Sequence, residues 1–200
     1  MDYRLLPVVS LLCNLAVVSG GSIRFARARL TPWRGALTLT AIAAPAALLG
    51  GLIPVREQVF MMLLGASLCL AGALLLLPKR EPGEVASGQS IGRRGGGRIV
   101  LLAAAPLGYL AGIVGIGGGI FLAPLLHLVR WDNPRAIAAT ASLFILVNSL
   151  FGLVGQLGKS GFGMLGAAAN TGLPLMIAVV IGGQIGSLFA VRLFKPKVIA

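Results

Sequence analysis

Between Ala111 and Pro124 the chain reads AGIVGIGGGIFLAP, which sets Gly112, Gly115, Gly117, Gly118 and Gly119 inside one of its most apolar stretches. Glycine at this density prevents a continuous helix and permits backbone conformations that side chains forbid. A helix that restarts after the interruption presents free N–H groups near Gly117 to Ile120, a small positive field that suits an anion without a buried charged side chain. The competing reading is that the glycines only let helices pack closely; Gly115, Gly117, Gly118 and Gly119 together exceed what packing requires. A second group of polar residues lies nearby in sequence. Thr140 and Ser142 begin the next apolar block, and Asn148 and Gln184 are amides deep in apolar sequence, where an unpaired polar group is expensive. Ser10 and Asn14 are first-half counterparts. Substrate contact and hydrogen bonding between helices are both open to these amides. His127, the one histidine, lies three residues past Pro124 and is a candidate for proton coupling; its plainer role is to meet the membrane interface.

The elements that must position these residues are apolar blocks. Of the 200 residues 57% are hydrophobic and 11% charged, with a mean hydropathy of +0.95. Six blocks approach the roughly 20 residues a helix needs to cross a bilayer: Leu5 to Ile23, Gly35 to Val55, Val59 to Leu77, Ile99 to Val129, Ala136 to Leu157, and a less regular one ending near Phe194. Gly and Pro recur in them at a density that membrane helices tolerate and soluble ones do not. An all-α, multi-pass membrane protein follows. Residues 78–98, rich in Gly, Pro, Ser and charge, read as a basic cytoplasmic linker between a first half, residues 1–77, and a second, residues 99–200. Small residues four apart recur in both halves, at Ala46 to Gly50 and at Gly182 to Gly186.

Composition also excludes. The net charge of +12 comes from Lys and Arg between apolar blocks and not along one polar face, so it reads as juxtamembrane orientation and not nucleic-acid binding. Arg24, Arg27 and Arg29 follow the first block where a signal peptide should be neutral, so that block reads as a retained membrane helix. Cys13 and Cys69 sit in separate blocks, as small hydrophobes and not a metal or disulfide pair. Asp2, Glu57, Glu81, Glu84 and Asp132 fall in expected loops, which disfavours a carrier built on an intramembrane carboxylate. No HExxH, no Cys/His cluster and no catalytic triad is present, and the Gly-rich run fits neither nucleotide-loop pattern. Neither an enzyme nor a cofactor or metal is expected.

The segment GYLAGIVGIGGGIFLAPLL, followed by RAIAATASL, resembles the signature of the TauE/SafE family, exporters of sulfite and organosulfonates. The likeness is best from Leu101 to about Gly158: a Gly-rich break, a proline five residues on, and an Ala-Thr-x-Ser start to the next helix. Family members carry this unit once per half. Here only the second copy is complete, and one outer element is expected to be missing at each end. The resemblance implies a polytopic helical transporter of two related halves; the glycine density adds a broken or re-entrant helix, and the charge distribution adds an inverted-repeat arrangement of the halves. The resemblance also implies a small anionic substrate, namely sulfite, a sulfonate or another oxyanion.

Charge distribution bears on the break. If residues 99–129 enter and return as a hairpin, only Arg4, Arg56 and Lys159 lie outside and every other Lys and Arg lies inside. A full crossing instead puts Arg130, Arg135, Arg192, Lys195 and Lys197 outside. The hairpin agrees better with the positive-inside rule and makes the halves oppositely oriented. The combined expectation is an inner-membrane anion transporter with Gly115, Gly117, Gly118, Gly119, Thr140, Ser142, Asn148 and Gln184 at the substrate and His127 in reserve. It would form a homo-oligomer to cover its half-sites. The alternative is a truncated, non-transporting membrane protein that assembles with a partner.

Overall fold

The computed structural model describes residues 5–76, 96–129, 131–161 and 163–193. They form seven helices: α1 (Leu5–Arg27), α2 (Trp33–Leu52), α3 (Glu57–Leu76), α4 (Gly96–Val114), α5 (Gly119–Leu128), α6 (Pro134–Ser160) and α7 (Gly163–Leu193). Of these, α1, α2 and α6 are long and apolar enough to cross a membrane, and shorter apolar segments lie in α3, α4, α5 and α7. Large apolar side chains such as Met62, Leu102, Leu173 and Ile181 face outward, as they must where lipid is the solvent. Most of the proposed linker lies outside the described residues; its last three, 96–98, open α4 and are helical. Glu57 is the first residue of α3 and not part of a loop.

Three helices run parallel, and small residues explain why they can. A Cβ on Gly108 would strike the Ala43 carbonyl, one on Gly112 the Ala47 carbonyl, and one on Gly50 the Tyr109 carbonyl. The order of the first two pairs runs α2 and α4 in the same direction. On the far side of α2, Gly155 abuts the Leu48 carbonyl and the Gly51 backbone, and because Trp131, just before α6, meets Gly35 while Lys159 reaches the Ile53 carbonyl, α6 runs the same way. Helix α2 is therefore held backbone to backbone between two neighbours, the small-residue packing of membrane interfaces. The Ala46 to Gly50 pattern takes part in this seam. In α7 the close approach comes from Gly183 against Val17, whereas Gly182 and Gly186 have open space. Helix α1 is antiparallel to α6 and parallel to α7, pairing Leu11 with Gly152 and Val9 with Gly172.

The block from residue 99 to 129 is two helices and not one. Both ends of that pair lie at one end of the bundle. The Trp131 ring, 9% exposed, packs against the Cβ positions of Gly35 at 2.9 Å and Gly97 at 3.8 Å, joining the starts of α2 and α4 to the turn between α5 and α6. The α6 start is set by Asn133, whose side chain accepts from Ala136 N at 2.8 Å, with Pro134 following. This is an N-cap with proline at the first helical position. Arg24, Arg34 and Arg135 belong to this same end, while Lys159 donates to the Ile53 carbonyl, 3.3 Å away, at the opposite one. The hairpin reading, and not the full crossing, describes this path.

Two predictions follow from the seams and the path. Gly112→Ala should lower stability by about 1–3 kcal/mol through overpacking, seen as a reduced thermal midpoint in detergent, whereas Gly65→Ala, with nothing within 4 Å of its Cβ position, should leave it unchanged. In a chain with Cys13 and Cys69 replaced by serine, cysteines at Gly97 and Asn133 should react with an impermeant maleimide from one side of the membrane and a cysteine at Lys159 from the other. Labelling of the first two from opposite sides contradicts the hairpin.

Candidate functional site

The break is made by three glycines in the left-handed region: Gly115, Gly117 and Gly118, with φ of 79°, 78° and 77°. Residues with a Cβ resist this conformation, so the turn from α4 into α5 requires them. Gly119 is different. It is already helical, and a Cβ there would strike the Ile145 side chain. The glycines divide by position: Gly108 and Gly112 pack, and the three that follow α4 make the turn.

A helix that ends in apolar surroundings leaves carbonyls without partners. Here side chains from other helices meet them. Gln156 of α6, 2% exposed, donates from Nε2 to the Gly112 carbonyl at 3.0 Å and the Ile113 carbonyl at 3.4 Å. Asn14 of α1 donates to the Ile116 carbonyl at 3.1 Å. On the other side of the turn, Gly118 caps α5 with no side chain to accept its N–H groups. The Gly118 carbonyl accepts from Phe121 N and Leu122 N, both at 3.2 Å. The amides of Gly119 and Ile120 precede these and have no place in the helical ladder.

The depth of this N-terminus follows from its neighbours. Gly118 lies beside Phe144 and Ala111, and Gly119 beside Ile145 and Ala141, near the middle of α6. Helix α5, at 10 residues, covers about 15 Å, half of the roughly 30 Å hydrocarbon core. Around it lies a polar layer between two apolar clusters. One cluster joins α2, α4, α5 and α6 through Leu39, Leu122, Ile137 and Phe144; the other joins α1, α6 and α7 through Val8, Leu11, Leu153 and Ala168. In the layer, a Cβ on Gly117 would lie 2.9 Å from Ser149 Oγ and 3.1 Å from Asn14 Nδ2. Thr140, Asn148 and Ser149 are fully buried, and Thr140 Oγ1, Ser149 Oγ and both polar atoms of Asn148 have no hydrogen-bond partner within the described chain. Buried polar groups are nearly always bonded, so this concentration calls for an explanation.

The residues singled out from sequence divide accordingly. Gly115, Gly117, Gly118 and Gly119 form the break. Thr140, Phe144 and Asn148 share one stripe of α6, and Ser142 lies half-buried two turns before Ser149 on the adjacent one. Gln184 is elsewhere: it donates to the Val17 carbonyl at 3.4 Å, its own carbonyl accepts from Arg24 at 2.8 Å, and it fills the space over Gly20. That is the α1–α7 seam, one to two turns of α1 beyond Asn14. His127 is exposed in the last turn of α5, at the end of that helix remote from the break. Ser149 and Gln156 were not indicated by the sequence. The spacing Phe144–Asn148–Gly152–Gln156, one turn per step, is the signal that joins Gln156 to the same face.

A bundle of apolar helices around a half-helix that starts at mid-depth, in a polar layer, has the architecture of a membrane transporter. The comparisons agree. The sequence model of the family described as sulfite exporter TauE/SafE matches residues 2–200, and the chain belongs to that family. It is 29% identical over 196 residues, 92% of this chain and 71% of the relative, to the probable membrane transporter protein y4hK of Sinorhizobium fredii. No solved structure matches.

Replacing Gln156 by Leu would leave the Gly112 and Ile113 carbonyls buried and without a donor. Each such group costs about 1–3 kcal/mol, so Gln156→Leu should lower the thermal midpoint clearly. An unchanged midpoint would mean that other groups close the end of α4.

Proposed function

We propose that the protein carries a small oxyanion, sulfite or a sulfonate, across the inner membrane, and that the anion is held at the break by the N–H groups opening α5 with Asn148 and Ser149 beside it. One observation carries this reading: Ser149, beside Gly117, and its neighbour Asn148 are fully buried without partners among the described residues, next to a helix N-terminus that stops at mid-depth. A helix N-terminus favours an anion by dipole and by free donors together. The description of the family supplies the sulfur oxyanion, and the neutral polar groups account for how an anion is held without a buried lysine or arginine.

The topology supports an inverted relation between the halves. Helix α1 is the counterpart of α6 in the repeat, and the two are antiparallel; α2 is the counterpart of α7, and they too run oppositely. Inverted repeats with substrate at a helix break near the midplane are a recurrent transporter design.

Labelled sulfite and a sulfonate, loaded into proteoliposomes containing the chain or its Gly118→Leu variant, test the proposal. Gly118 has a positive φ, and its Cβ position lies 2.9 Å from Phe144. Transport by the parent and at least a tenfold loss in a variant that still gives a monodisperse helical protein is the expected outcome. Undiminished transport by Gly118→Leu removes the break from the pathway. Absence of transport by the parent under any gradient favours the partner-dependent reading.

A further inference from the structure

The polar atoms at the break are of mixed character, and this narrows the reading given above, on which it rests. Asn148 is 0% exposed, and neither its amide oxygen nor its amide nitrogen has a partner. It stands on α6 between Phe144, which meets Gly118, and Gly152, which lies 3.4 Å from Gly112, so its stripe faces the break. The adjacent Ser149 presents its unpartnered hydroxyl to Gly117. The N–H groups of α5 and the amide nitrogen only donate, and the amide oxygen only accepts. An anion with acceptor oxygens alone would answer the donors and leave the Asn148 oxygen buried and unpaired. A site built to bond a ligand O–H or N–H rejects the analogue that lacks it.

Charge sets the second limit. A helix N-terminus supplies about half an elementary charge, and the side chains nearest Gly117, Gly118 and Gly119 are Asn14, Phe144, Ile145 and Ser149, all neutral. Such a field offsets part of one negative charge; a second would be desolvated with no counter-charge. The described titratable and charged side chains lie away from the break. Cys13 packs into the α1, α6 and α7 cluster. Tyr109 and Cys69 are on exposed surfaces of α4 and α3, and Glu57 opens α3. His127 is exposed in the last turn of α5, and Arg24, Arg34 and Lys159 sit toward the ends of α1, α2 and α6; Arg135, whose Nη2 is buried without a partner among the described residues, opens α6 about 20 Å along that helix from Asn148 and Ser149.

We infer that the site takes a singly charged oxyanion that still carries a hydrogen-bond donor, hydrogensulfite or a hydroxyl- or amine-bearing sulfonate, and discriminates against the sulfite dianion and sulfate. Any proton that crosses with sulfite then rides on the substrate, and transport responds to pH without a titrating side chain at the site.

The full chain in nanodiscs, titrated by equilibrium dialysis with labelled sulfite, sulfate, ethanesulfonate and 2-hydroxyethanesulfonate, tests this. Affinity for total sulfite should fall about tenfold per pH unit once the second proton of sulfite is lost. The hydroxylated sulfonate should bind at least about tenfold more tightly than ethanesulfonate, independently of pH. Sulfate should bind more weakly than either. Asn148→Leu, similar in volume and without polar atoms, should bring the two sulfonates within about twofold of each other. Strong binding that ignores both the proton and the hydroxyl overturns this inference alone, whereas failure of all four anions to bind at any pH overturns the anion reading with it. Should Asn148→Leu not fold, the pH series and the sulfonate pair on the parent chain decide the matter.

Discussion

A helix that stops inside a bilayer must find partners for the carbonyls it leaves behind, and the rest of this structure depends on how that is done. Water is not there to bond them. Gln156 reaches from α6 to the last turn of α4, and Asn14 reaches from α1 to Ile116. These bonds need α1 and α6 to lie against the break, which in turn needs glycine wherever their backbones approach it. Gly152 beside Gly112, and Gly115 with its Cβ position 2.6 Å from Pro7 Cα, meet that need. The Gly112, Ile113 and Ile116 acceptors are thus matched by side chains, while the N–H groups at the start of α5 meet no capping side chain. That asymmetry is what makes the N-terminal side of the break the chemically open one.

Tryptophan does the opposite work at the other end of the hairpin. Trp131 fills the space left by Gly35 and Gly97 and belongs to the apolar cluster shared by α2, α4, α5 and α6. The hairpin is anchored by apolar packing at its base and by hydrogen bonds near its tip. The first kind of contact is non-directional and grows with buried area; the second is directional and strong in a low dielectric. The result is a base fixed by shape and a tip fixed by geometry.

Much of this was legible in the sequence. The apolar blocks gave the helices, since in lipid an apolar run of sufficient length has few other options. The glycine run gave the break, and the arrangement of Arg4, Arg56 and Lys159 against the remaining cations favoured a hairpin, which is the path the chain follows. Asn148 and Thr140 stood out as polar groups in apolar surroundings, and both are fully buried. Ser149 did not stand out, because a serine in a membrane helix can bond its own backbone, as Ser67 does to Leu64. Gln184 drew attention for the same reason as Asn148, yet it bonds across the α1–α7 seam. Composition marks which polar residues are buried; which neighbour each one meets depends on helix rotation, and the apolar faces of these helices are too uniform to reveal it.

The backbone-to-backbone seams of α2 impose a one-sided limit on how this sequence can drift. Where side chains interlock, a loss on one helix can be compensated by a gain on the other. At Gly108 and Gly112 against Ala43 and Ala47 there is no volume left to exchange, because the contact is already glycine or alanine against carbonyl oxygen. At the two glycines variation can only add atoms, and every added atom separates two helices that hold the break between them. Such a seam tolerates little change at its own positions and leaves the lipid-facing surfaces of α3 and α7 free to vary.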